Sequence, residues 1–109
     1  AGRTVFATMM LADLTESGAN LEMSEGIVDA LAHVAEADVA IFFKEDGPAA
    51  ARISVRTKGD GPDATAITGA FGGGGHARAA GATIERPVSE AVALVLARVT
   101  ELRAHNVAG

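Results

Sequence analysis

Four consecutive glycines, Gly72 to Gly75, lie inside a chain of only 109 residues. Glycine loses more backbone freedom on ordering than any other residue, so such a run is costly to fold. It persists in two settings: a linker that is never ordered, or a loop whose backbone must approach a neighbour more closely than a Cβ allows. A linker needs a folded unit on each side, and a chain of this length is one domain. Here the run falls between a helix and a strand that the same sheet needs, so the linker reading fits poorly.

The segments around it define that sheet. Residues 3–11, "RTVFATMML", alternate as a strand, with Val5, Ala7, Met9 and Leu11 on one side and Phe6, Thr8 and Met10 on the other. Both sides are apolar enough to predict a strand between two covering layers. Residues 15–23 read as a polar connection. Ser24 is the expected N-cap of a helix striped by Ile27, Leu31 and Val34. Val39 to Phe43 is continuously apolar, rich in β-branched and aromatic residues, and reads as a buried strand. Residues 51–59, "ARISVRTKG", alternate instead, with Ile53, Val55 and Thr57 on one face and Ser54, Arg56 and Lys58 on the other.

A loop over residues 59–62 leads to a short helix capped by Asp63, with Ile67, Ala70 and Phe71 on one face. After the glycines, "HARAAG" is expected to form a short helical turn and "ATIE" a strand. Pro87 and Ser89 open a last helix striped by Val92, Val95, Leu96, Val99 and Leu102. The predicted fold is therefore α/β: a single mixed β-sheet of about four to five strands covered by helices, with a Gly-rich loop before a short helical turn.

Composition limits the function classes. No apolar run approaches the length of a membrane span, and the first ten residues lack a signal-peptide pattern. Cysteine is absent, which removes disulfides, thiol nucleophiles and thiolate metal ligands. A cytoplasmic protein without a membrane partner is the expectation. The net charge of −5 argues against a general coat for RNA or duplex DNA, because grips on many phosphates are basic. A few cations converging on one spot still suffice for one or two phosphates.

The glycine run offers such a spot. Amides of Gly74, Gly75 and His76 at a helix start would bind an anion, with the His76 imidazole as a further donor; a purely structural turn is the competing reading. The G-K-[ST] of a nucleotide triphosphatase is missing. Arg56 is either a solvated edge residue or a planar grip on phosphate oxygens. Ser54 shares its face, as does Lys58, whereas Thr57 points the other way. Arg78, His33 and His105 read as exposed or structural, and Met9, Met10 and Met23 as core filler. Glu36, Asp38, Glu45, Asp46, Asp60 and Asp63 read as caps and loop residues rather than an acid/base pair.

Taken together, "GGGGHARAAG" resembles the signature of the DHH-associated substrate-binding domain, the C-terminal part of DHH-family phosphoesterases such as nanoRNases, which also act as phosphoadenosine-phosphate phosphatases, and RecJ-like exonucleases. The fixed positions of that signature fall on Gly72, Gly73, Gly74, Gly75, His76, Ala79, Ala80 and Gly81. The family's S-x-R-S on the preceding strand is "SVRT" here, so Ser54 and Arg56 match and Thr57 keeps the hydroxyl. A related domain occurs in alanyl-tRNA synthetases, whose glycine run lacks the histidine.

The resemblance implies that residues 1–109 are one substrate-binding domain of a longer phosphoesterase. Its catalytic domain, with an Asp-His-His cluster holding a pair of Mn²⁺ ions, is not in this chain, which contains no such tripeptide. It further implies that Ser54, Arg56, the glycine loop, His76 and, less directly, Lys58 hold a short single-stranded RNA or a phosphorylated nucleotide. This chain alone would bind no metal and hydrolyse nothing. Engaging two or three phosphates would give a salt slope on the order of −2. The alternatives are a stand-alone module for a phosphorylated metabolite, or the same domain from a cyclic-dinucleotide phosphodiesterase.

Overall fold

The computed structural model describes residues 3–10, 21–34, 37–59 and 61–108. Leu11, the first part of the expected connection (residues 15–20), Glu36 and Asp60 lie outside the described residues. So do the side chains of Met23, Ser24, Val34 and His105. In chain order the elements are β1 (Thr4–Met9), α1 (Leu21–Val34), β2 (Val39–Glu45), β3 (Ala51–Thr57), α2 (Ala64–Thr68) continuing into a 3-10 turn (Gly69–Phe71), β4 (Gly74–His76), β5 (Ala79–Ile84) and α3 (Val88–Ala108). The five strands form one sheet in the order β1-β2-β3-β5-β4. β1 runs parallel to β2 and every other pairing is antiparallel. The expected α/β fold with a mixed sheet is what the chain forms.

The two faces of β2 explain its unbroken apolar run. Val39, Ile41 and Phe43 join Ile53, Val55, Ala80, Ala82 and Ile84 in a core closed by Ala64 and Ile67 of α2 and by Val88, Ala91, Val95 and Val99 of α3. Ala40 and Phe42 turn to the opposite face and pack with Val28 of α1, against Val5, Ala7, Met9, Ile27 and Leu31. Burying a side chain such as Ile41 or Phe43 stabilises the fold by about 1.5–3 kcal/mol. β3 carries only one apolar face, as its alternation predicts, and α1 lies over β2, with β3 and β1 on either side of it.

Several expectations need correction. β1 is not sandwiched: Phe6 is 44% and Met10 40% exposed. α3 packs on β2 and α2, meeting β1 through a bond from the Arg103 guanidinium to the Thr4 hydroxyl. α1 begins at Leu21, ahead of the expected cap Ser24. Asp63 does cap α2, accepting from the Thr65 amide at 2.8 Å. However, Ala70 is exposed, because the helix tightens after Thr68 and a 3-10 turn advances each side chain further round the axis.

The largest difference concerns "HARAAG". In place of a helical turn, Gly74–His76 and Ala79–Ile84 pair as a hairpin around Ala77 and Arg78. The alanines favour helix locally, but the turn is pinned from outside. The Ala77 carbonyl accepts from the Thr57 hydroxyl at 3.0 Å and from the Ala64 amide at 2.8 Å, and the Arg78 carbonyl accepts from the Thr57 amide at 3.0 Å.

Asp38, expected to be a simple cap, ties three elements together. Arg103 of α3 donates to both its carboxylate oxygens, at 2.9 and 2.7 Å, and the Arg3 amide adds a third bond at 2.9 Å. The Arg103 bonds hold the Asp38 carboxyl below the usual aspartate value, against the opposing effect of burial.

Candidate functional site

Topology brings the glycine run to Arg56. Because β5 inserts between β3 and β4, three strands present matched rows on the sheet face that carries α1, running from β3, which α1 still touches, out to β4. Arg56 is level with Ala79 and Ala79 with His76; Ser54 is level with Gly81 and Gly81 with Gly74. Arg52, opposite Thr83, forms the next row. None of these side chains is buried, and the residues in between are small. The result is a shallow depression of about 220 Å³ lined by Arg52, Ser54, Arg56, Gly74, Gly75, Ala79, Ala80 and Gly81.

The four glycines of the run differ in what, if anything, requires them. Gly72 takes a left-handed conformation (φ 78°) and closes the 3-10 turn, its amide bonded to the Gly69 carbonyl. A Cβ on Gly73 would collide with the Gly81 carbonyl and with Ala82. One on Gly75 would lie 2.6 Å from the Ala80 Cα, at a φ of 143°. Gly74 differs. A Cβ there would meet nothing within 4 Å, so no internal contact demands glycine, and it opens directly onto the depression. A Cβ would fill space that a ligand can use.

The amides follow the same division. Those of Gly72 and Gly73 are spent on the carbonyls of Gly69 and Thr68. β4, as the edge of the sheet, has donors on its outer side that no strand satisfies. Any bare amides thus belong to a sheet edge, not to the helix start expected from the sequence.

Arg56 is held in place before any ligand arrives. Its Nε donates to Asp29 of α1 at 2.8 Å and its Nη1 to the Val55 carbonyl at 3.2 Å. A guanidinium has five donors, so most remain for the depression. Asp29 is 63% exposed, and an ion pair of this kind adds little stability; its effect is to orient the fork. Among the described residues no group of His, Asp and Glu side chains converges as metal ligands.

Of the residues singled out from the sequence, Ser54, Arg56, Gly74 and Gly75 line the depression. His76 is exposed, in the row of Arg56 but outside the lining. Gly72 and Gly73 support the loop from behind. Lys58 falls just beyond the end of β3, exposed, its amide bonded to the Asp38 carbonyl. Thr57 is buried under the hairpin turn. Sequence reasoning missed Arg52, although the same period-2 alternation that selected Ser54 and Arg56 runs back to it. Gly81, named there as a fixed position of the signature but not as a site residue, also lines the depression; its Cβ would lie 3.1 Å from the Ile53 carbonyl and 3.3 Å from the Arg52 guanidinium.

Comparison with known proteins agrees with the fold. Residues 2–103 match the DHHA1 domain. The structure is similar to that of an exopolyphosphatase-related protein from Bacteroides fragilis (TM-score 0.77, 23% identity), covering 88% of this chain and 28% of that one. It is similar to the C-Ala domain of Aquifex aeolicus alanyl-tRNA synthetase (TM-score 0.65, 18% identity; 88% and 89% covered). A pGpG-specific phosphodiesterase from Vibrio cholerae also shares the fold (TM-score 0.54, 17% identity; 71% and 27% covered). The chain thus spans under a third of the length of the exopolyphosphatase-related protein and of the phosphodiesterase. No helix among the described residues is long and apolar enough to cross a membrane.

Proposed function

This chain belongs to the DHHA1 domain family, and from that premise we propose that it is the substrate-holding domain of a two-domain DHH phosphoesterase acting on short single-stranded RNA or a related phosphorylated nucleotide. The observation that carries this reading is the sheet face from β3 out to β4, where Arg56 and Ser54 face Gly74 across a floor of alanine and glycine. A phosphate seated there accepts from the Arg56 fork, from the Ser54 hydroxyl and from amides of the β4 edge, with His76 at the rim. Charge-assisted bonds to a planar guanidinium are the strong ones in such a site.

Hydrolysis belongs, in this reading, to the companion catalytic domain. That domain's manganese pair would supply an activated water and a clamp on the scissile phosphate. This chain's residues bind and orient the substrate and contribute no acid, base or metal ligand. The same depression suits the linear dinucleotide product of a cyclic-dinucleotide pathway as well as an RNA end, since both present a phosphate flanked by ribose.

The test is a titration of the isotope-labelled domain with diribonucleotides, followed by NMR. Shifts are expected at Ser54, Arg56, Gly74 to His76 and Gly81. Arg56→Ala should cost about 1.5–3 kcal/mol of binding, a tenfold loss or more. Shifts confined to other regions, or unchanged by Arg56→Ala, would overturn the reading.

A further inference from the structure

Lys44 of β2 and Arg52 of β3 are direct cross-strand partners. Alternation places both on the face of Ser54 and Arg56, in the row that continues to Thr83 on β5. Like charges directly opposite each other destabilise an antiparallel pair. Here nothing offsets them: among the described residues neither has an acidic partner within ion-pair distance, and Arg52 donates only to the Thr83 hydroxyl, at 3.3 Å. Arg56, on the same strand and face, is paired with Asp29 at 2.8 Å. Acids are not scarce, since the chain has 14 Asp and Glu against 9 Lys and Arg. Two unneutralised cations side by side in an acidic domain mark a place where an anion is to come from outside.

The position says which anion. Arg52 leans over Gly81, its Nη2 3.3 Å from where a Cβ would sit, and it lines the same depression as Arg56 and Gly74. The Arg52 and Arg56 backbones are four residues apart, about 13 Å along an extended strand. A single phosphate held by Arg56 at the glycine loop leaves Lys44 and Arg52 to engage another.

We propose that Lys44 and Arg52 form a second phosphate subsite, which makes the domain prefer a dinucleotide carrying a terminal phosphate over one with only its internucleotide phosphate. This rests on the nucleotide-binding reading above and adds to it the number and spacing of the charges recognised.

The experiment titrates the chain with ApA, with its 5′-phosphorylated form and with its 3′-phosphorylated form. Wild type should bind one terminally phosphorylated form at least about tenfold more tightly than ApA. In a Lys44→Gln/Arg52→Gln double variant that advantage should vanish, the phosphorylated forms binding no more tightly than ApA does to the same variant. The salt slope for the phosphorylated ligand should become shallower by about 0.7 for each phosphate charge that is no longer neutralised. A Lys44→Arg/Arg52→Lys variant should keep the preference, which guards against a misfolded double variant. Equal affinity of wild type for all three ligands, or a preference that survives the Gln variant, overturns the second subsite and leaves the first reading standing. Failure of wild type to bind any of them overturns both.

Discussion

Phe42 and Ser54 are cross-strand neighbours on the same face of the sheet. Phe42 is 2% exposed beneath α1, whereas Ser54 is half-buried beside the depression. One strand spacing separates a hydrophobic core from a polar binding surface. On the α1 side of that boundary, β1 and β2 present Val5, Ala7, Ala40 and Phe42 to the helix. Beyond it, β3, β5 and β4 present guanidinium, hydroxyl and glycine. The part packed under α1 provides stability; from β3 outward to β5 and β4, where that packing thins out, the face is free to carry charge.

The contrast can be broken most sharply at that boundary. Phe42→Ala should destabilise the fold by about 3–5 kcal/mol, since it removes a buried ring and leaves a cavity. Its neighbour Ser54→Ala should stay within about 0.5 kcal/mol. Urea unfolding of both variants measures the difference, and comparable losses would show that the charged part of the face bears load as well.

Asp38→Asn tests the clamp that Arg103 forms on this carboxylate. It should cost about 1–3 kcal/mol by leaving Arg103 imperfectly paired. The sign with pH follows from the direction of the shift. The Asp38 carboxyl lies below its ordinary value in the folded state, so its contribution is complete above the unfolded aspartate pKa and fades as pH falls through the folded one. The stability gap between wild type and Asp38→Asn should therefore be constant near neutrality and close in acid, which unfolding curves across pH will show.

Within the glycine run the comparison becomes one of stability against binding. Gly75→Ala, forced onto Ala80 at a left-handed φ, should cost roughly 1–3 kcal/mol. Gly74→Ala should change stability by less than about 0.5 kcal/mol yet weaken nucleotide binding severalfold, because its methyl occupies the depression. A Gly74→Ala variant that binds normally would remove the close-approach argument.

The fold was largely legible from periodicity. The continuous run of β2, the alternation of β3 and the stripe of α3 each state how many faces are buried, and burial follows directly from side-chain type. β1 misled because Phe6 and Met10 are apolar yet stay partly exposed; apolar residues on one strand do not reveal whether a full layer lies above them. Arg52 was within reach of the same alternation, whereas its like-charged neighbour Lys44 emerges only from the register between β2 and β3.

The conformation of "HARAAG" lay beyond any local reading. Its alanines favour helix by a few tenths of a kilocalorie per residue, and hydrogen bonds from Thr57 and Ala64, distant in sequence, decide otherwise. Side-chain patterns specify which surfaces are buried, because hydrophobicity is a property of each residue alone. Which backbone groups pair, and so which glycine faces a ligand and which faces a carbonyl, depends on strands meeting across the chain. Gly74 and Gly75 are identical letters in sequence, and only the β4–β5 register tells them apart.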